Sequence, residues 1–185
     1  MLELSNPQKY AQVERERRFL VAQVPFTPMA TMAYADIIDT YLPSEQIRLR
    51  LMQRSNDSLP VYKITQKRRL PTLPPYAVMI TTIYLTAEDY TLFRRLPGAV
   101  LHKRRYPWVD NGMRFAVDVF AGALEGLVLA EVEGASDAEV AGVVLPSFAS
   151  REVSAEPVFR GGSLARLTSE EFQRWRASGY KEGRH

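Results

Sequence analysis

Glu14, Glu16 and Arg18 stand at alternate positions in the run VERERRFLV, Val13 to Val21. In an extended strand successive side chains point to opposite faces, so the two acids and the base share one surface while Val13, Phe19 and Val21 share the other. The same habit returns in four more segments: Arg48 and Arg50 in QIRLRLM, Lys103 and Arg105 in LHKRRYPW, Asp118 in FAVDVF, and Glu131 and Glu133 in VLAEVEG. Apolar residues hold the opposite phase, among them Ile47, Leu49, Leu51, Val117, Val119, Ala130 and Val132. For any one segment, a strand with a solvated polar face is the ordinary explanation. Together they differ from random surface faces, because acids gather on some strands and paired bases on others, five carboxylates facing at least six cations.

Burying that many unpaired ions would cost several kcal/mol each. The water-filled lumen of a closed barrel avoids the cost, and every strand of a barrel alternates inward and outward residues. The pattern therefore predicts a charged lumen, with the outward apolar phase covered by packed helices. Strands are expected at Val13–Ala22, Asp36–Leu42, Ile47–Arg54, Val61–Arg69, Ala77–Leu85, Ala99–Trp108, Met113–Phe120 and Leu127–Gly134, the eight that a small barrel needs. Helices are expected from Thr86 to the Pro97-Gly98 stop, over Ser136–Val143, and over Thr168–Ser178, whose Thr168-Ser169-Glu170-Glu171 start resembles a capping box. Turns fall at Asn56-Asp57, Pro71 to Pro75 and Asp110-Asn111-Gly112.

Taken in order, ERERRFLV, RLRL, YKITQK, KRRY, VDVFAG and LVLAEVE resemble the motifs of the CYTH superfamily, also called triphosphate tunnel metalloenzymes. The resemblance spans roughly Val13 to Ala165, and the order and spacing of the motifs carry it. It implies an α+β, mainly antiparallel β fold: an eight-stranded closed barrel or tunnel with helices packed outside. It also implies a lumen that binds a linear triphosphate and a divalent metal, Mg2+ or Mn2+, held by carboxylates.

Under that resemblance Glu14, Glu16, Asp118, Glu131 and Glu133 are the metal ligands, hard oxygen donors of the kind these ions prefer. Glu14 and Glu16 could instead hold the arginines. Arg48, Arg50, Lys67, Lys103 and Arg105 are the substrate-binding cations, the arginines offering planar forks for phosphate oxygens. Lys63 shares the phase of Lys67 and stands open between the lumen rim and the surface. Glu14, Glu16 and Arg18 form the catalytic signature, although Arg18 replaces the usual lysine and cannot readily exchange a proton. Two acids common in the fifth strand of the family are replaced by Ile80 and Thr82. The expected activity is metal-dependent hydrolysis of inorganic triphosphate or another triphosphorylated substrate. The alternatives are a non-catalytic triphosphate or polyphosphate-binding module and a class IV type adenylyl cyclase.

The remaining features bound the reading. The 185 residues suit a single domain, with the core at about 13–165 and a C-terminal helix at about 168–178. No apolar run approaches the roughly 20 residues of a membrane span, no secretory signal is visible, and a cytoplasmic location is expected. Cysteine is absent, which excludes thiolate chemistry, and only His102 and His185 are available for imidazole chemistry. A net charge of +3 gives mild attraction to polyanions, but the basic runs are short and a nucleic-acid partner is not expected. Gly161-Gly162-Ser163 reads as a turn, and no role is attached to the preceding REVSAEPVF segment.

Overall fold

The computed structural model describes residues 9–27 and 32–181; His185 lies outside them. The strands are β1 (Gln12–Val21), β2 (Ala35–Tyr41), β3 (Ile47–Arg54), β4 (Val61–Arg68), β5 (Ala77–Leu85), β6 (Ala99–Asp110), β7 (Met113–Phe120), β8 (Val128–Glu133) and β9 (Ala149–Glu152). They form one antiparallel sheet in the order β5-β4-β3-β2-β6-β7-β8-β1-β9, and a pairing of β5 with β1 closes the first eight into a barrel.

Closure depends on how β1 divides its edges. One edge pairs with β8 from Glu16 to Leu20. The opposite edge pairs with β5 over Gln12–Arg15 and with β9 over Phe19–Val21. Between those two partners, the Glu16 amide donates to the Tyr76 carbonyl at 2.8 Å and the Arg18 amide to the Ser154 hydroxyl at 2.9 Å. The middle of β1 is thus fastened by loop residues, which lets the segments around Tyr76 and Ser154 border the lumen.

Alternation sorts the side chains as the charge pattern predicts. Inward from β1 point Glu14, in register with Val78 of β5, and Glu16, Arg18 and Leu20, in register with Glu133, Glu131 and Leu129 of β8. Outward point Phe19 and Val21, which join Phe115, Val117, Ala130 and Val132 in an apolar layer. Val24, Phe26 and Phe148 cover this layer, so loop segments do much of the covering expected of helices. A second cluster fills the barrel end where β6 and β8 begin: inward Leu20, Leu101, Phe120 and Leu129 pack with Leu124, Leu127, Phe159, Leu164 and Phe172. The lumen is therefore polar over part of its length only.

Among the described residues four short α-helices decorate the barrel: α1 (Ala87–Phe93), α2 (Asp137–Ala141), α3 (Gly161–Leu164) and α4 (Ser169–Ala177). The expected capping box is present, with Thr168 accepting from the Glu171 amide and the Glu171 carboxylate accepting from the Thr168 amide. β6 runs two residues beyond its expected end because Asn111 and Gly112, with φ of 48° and 76°, make the two-residue turn into β7. β9 and α3 were not foreseen. No helix among the described residues is long and apolar enough to cross a membrane.

Candidate functional site

A cavity of about 400 Å³ occupies the polar part of the barrel. Nine cationic side chains and five carboxylates line it, an excess of positive charge that a bound polyanion would neutralise. Of the eleven residues expected at the site, all but Asp118 lie on its wall.

The carboxylates divide into two groups. Glu14 and Glu16 of β1 and Glu133 of β8 converge, each offering an oxygen within 4.8 Å of the others. Burial, together with the charges of Glu16 and Glu14, pushes the Glu133 carboxyl above its usual range. Burial would do the same to Glu14, but the Lys67 ammonium paired with it outweighs that and holds the group low. Three acids crowded on one spot, one of them resisting ionisation, form a donor set that fits a hard divalent cation.

Asp118 and Glu131 do not join this group. Asp118 is fully buried, accepting from Arg105 Nε and Nη2 at 2.7 Å each and pairing with Lys103. Glu131 accepts from Arg18 Nε at 3.0 Å and pairs with Arg105. Of the five acids expected to hold a metal, Glu14, Glu16 and Glu133 are the ones brought together, whereas Asp118 and Glu131 pair with the cations and hold them in place.

Arg18 is the most heavily tied of the cations. Besides Glu131 it bonds Glu16 and donates from Nη1 to the Phe159 carbonyl at 2.7 Å. It links β1, β8 and the C-terminal segment, and this sets the positions of two carboxylates. Its guanidinium is held above its ordinary value, burial being outweighed by Glu16 and Glu131, so proton exchange at this position is excluded.

On the opposite wall Arg48 and Arg50 of β3 point inward beside Asp39 of β2, with which Arg50 is in register. Asp39 takes Arg50 Nε and Nη2 at 2.6 and 2.7 Å and leaves Nη1 uncommitted. Arg48 is 9 % exposed, approaches Asp39 only to 3.8 Å, and keeps its buried Nε without a partner. A buried donor left this way is costly unless a ligand completes it. Lys63 also lines the cavity, which resolves its position in favour of the lumen.

Sequence reasoning missed Asp39, Tyr41, Arg69 and Arg160. Tyr41 and the two arginines lie on the cavity wall, and Arg160 has a second buried Nε without a partner. The expected fifth-strand acids are indeed absent: Ile80 stands opposite Lys67, and Thr82 bonds the Thr65 hydroxyl at 3.0 Å. Gly161 opens α3 instead of a turn, and any side chain there would displace the Tyr41 ring, since a Cβ would come within 1.9 Å of the Tyr41 hydroxyl.

The chain is thus a closed eight-stranded barrel with a charged lumen and, among the described residues, one cluster of three convergent acids. No protein-family model matches the chain. It is, however, 30% identical over 159 residues to an inorganic triphosphatase of Nitrosomonas europaea, covering 82% of this chain and 96% of that protein. Two crystal structures resemble it with a TM-score of 0.54. That of the inorganic triphosphatase NE1496 is 26% identical, covering 83% of this chain and 95% of the other. The second, described as the hypothetical protein NE1496, is 27% identical over 84% and 99%. The chain belongs to the CYTH superfamily.

Proposed function

We propose that this protein hydrolyses inorganic triphosphate, or a compound carrying a triphosphate group, inside the barrel and with Mg2+ or Mn2+. The observation that carries the reading is the division of the lumen: three convergent carboxylates on β1 and β8, and an opposing wall where the buried Arg48 Nε has no hydrogen-bond partner among the described residues. Its likeness to an inorganic triphosphatase over most of both chains supports the substrate class.

Glu14, Glu16 and Glu133 would hold the ion. A divalent cation bound there lowers the pKa of a coordinated water and offsets phosphate charge. Arg48, and Arg50 through its uncommitted Nη1, bind phosphate oxygens from the far wall. Lys67, Lys103 and Arg105 add positive charge from positions fixed by Glu14, Asp118 and Glu131. Phosphoryl transfer needs mainly positioning and charge stabilisation, which this arrangement supplies. A cytoplasmic location belongs to the same reading.

Phosphate release from tripolyphosphate, ATP and thiamine triphosphate, with Mg2+ or Mn2+ and with chelator, tests it. Turnover should disappear with chelator and in Glu133→Gln while tripolyphosphate still binds. A second reading, an anion-binding module without turnover, is favoured by the full engagement of Arg18 and the absent acids at Ile80 and Thr82. Binding with no phosphate released under any metal condition would select it.

A further inference from the structure

Lys63 enters the cavity from β4, in register with Arg50 of β3 on one side and Tyr84 of β5 on the other. From β3 it faces Arg48 and Arg50, from β2 Asp39, and from β1 Glu14. Both acids are committed elsewhere, Asp39 to Arg50 and Glu14 to Lys67. The fifth strand offers only Thr82 and Tyr84, so the Lys63 ammonium has no counter-ion among the described residues. A half-buried cation beside two guanidiniums is left poorly compensated by the chain itself and suits an anion from outside it.

Position along the wall says which part of an anion that is. Lys67 pairs with Glu14, one of the three convergent acids. Lys63 lies four residues away on the same strand face, roughly 13 Å at 3.3 Å per residue. We propose that Lys63 sets the phosphate chain length accepted by the cavity, binding the phosphate group most distant from Glu14, Glu16 and Glu133, so that linear chains of three or more phosphates are held and pyrophosphate is not gripped at both ends. The inference rests on the proposed triphosphate site and adds a selecting residue to it.

Protonation gives an independent signature. Burial, with Arg50 and then Arg48, holds Lys63 down to about 8. The ammonium form is the binding form, so affinity falls as pH rises through that value, by about tenfold between pH 7 and pH 9. Comparison with Lys63→Arg cancels the titration of the ligand itself.

Calorimetric binding of pyrophosphate and tripolyphosphate to the wild type, Lys63→Gln and Lys63→Arg, at pH 7 and 9 and with either Mg2+ or chelator, tests the proposal. Lys63→Gln should weaken tripolyphosphate at least tenfold at pH 7 and pyrophosphate less than threefold. Lys63→Arg should restore the discrimination and remove the extra loss at pH 9. Equal weakening of both ligands, or of neither, overturns the proposal even if turnover is intact, as does a wild type that binds neither. Binding that follows the expected pattern without any phosphate release overturns the hydrolase reading alone.

Discussion

Removing the charge of Asp39 would leave Arg48 and Arg50 buried with no counter-charge between them. The residue is 0 % exposed and grips Arg50 through two hydrogen bonds. Loss of one partner from a buried pair costs about 3–5 kcal/mol, because the remaining charge has lost its compensation. Asp39→Asn should show that loss in urea unfolding at pH 7, and Asp39→Asn with Arg50→Met should recover part of it. Despite burial, Arg50 and Arg48 hold the Asp39 carboxyl well below its ordinary 3.8. A depressed carboxyl stabilises the fold above its unfolded value and loses that contribution as pH falls through the folded one. The variant should therefore show less acid sensitivity below pH 4 than the wild type. Asp39 escaped sequence reasoning because Asp36 and Asp39 are three apart and face opposite sides of β2, so no period-two acid pattern marks it. Glu14, Glu16, Arg48 and Arg50 were legible because they keep that period; Arg69 keeps it too, one residue past the end of β4, whereas Arg160 lies in a loop with no period to read.

Elements were legible where alternation or capping is explicit. All eight barrel strands fall at their expected places, most plainly in β1, β3, β7 and β8 where charged and apolar residues take turns, and α4 begins where Thr168 and Glu171 announce it. β9 has only the four residues Ala-Ser-Arg-Glu, too few to display a period, and exists because the β1 edge at Phe19–Val21 needs a partner. α3 is one turn opening with two glycines and carries no propensity signal. The capping box yields a prediction confined to its own element. Thr168→Ala should cost about 1 kcal/mol in thermal or urea unfolding, as N-cap losses do. α4 anchors the apolar cluster through the fully buried Phe172 but lines no part of the cavity, so tripolyphosphate affinity should stay unchanged.

The cavity wall draws on strands from the whole circumference of the barrel, including β1, β3, β4, β6 and β8. An anion held there binds only the closed molecule, and its binding energy becomes folding energy. Tripolyphosphate at 100 times its Kd should raise unfolding free energy by about 2.7 kcal/mol. Denaturant titration with and without the ligand measures this, and an unchanged midpoint would place the ligand outside the barrel. The divided edge of β1 has a further consequence, in time. Arg18 and Glu131 are 113 positions apart, and the other edge of the same strand is completed by β9 and Ser154, further still along the chain. During synthesis the segment bearing Glu14, Glu16 and Arg18 emerges before the other strands of the barrel and waits for β5, β8 and β9, which are made after it. Until then it is an unpaired strand edge, open to mispairing with a neighbouring chain. The barrel therefore closes late and in one cooperative event, with the slow folding that distant pairings impose.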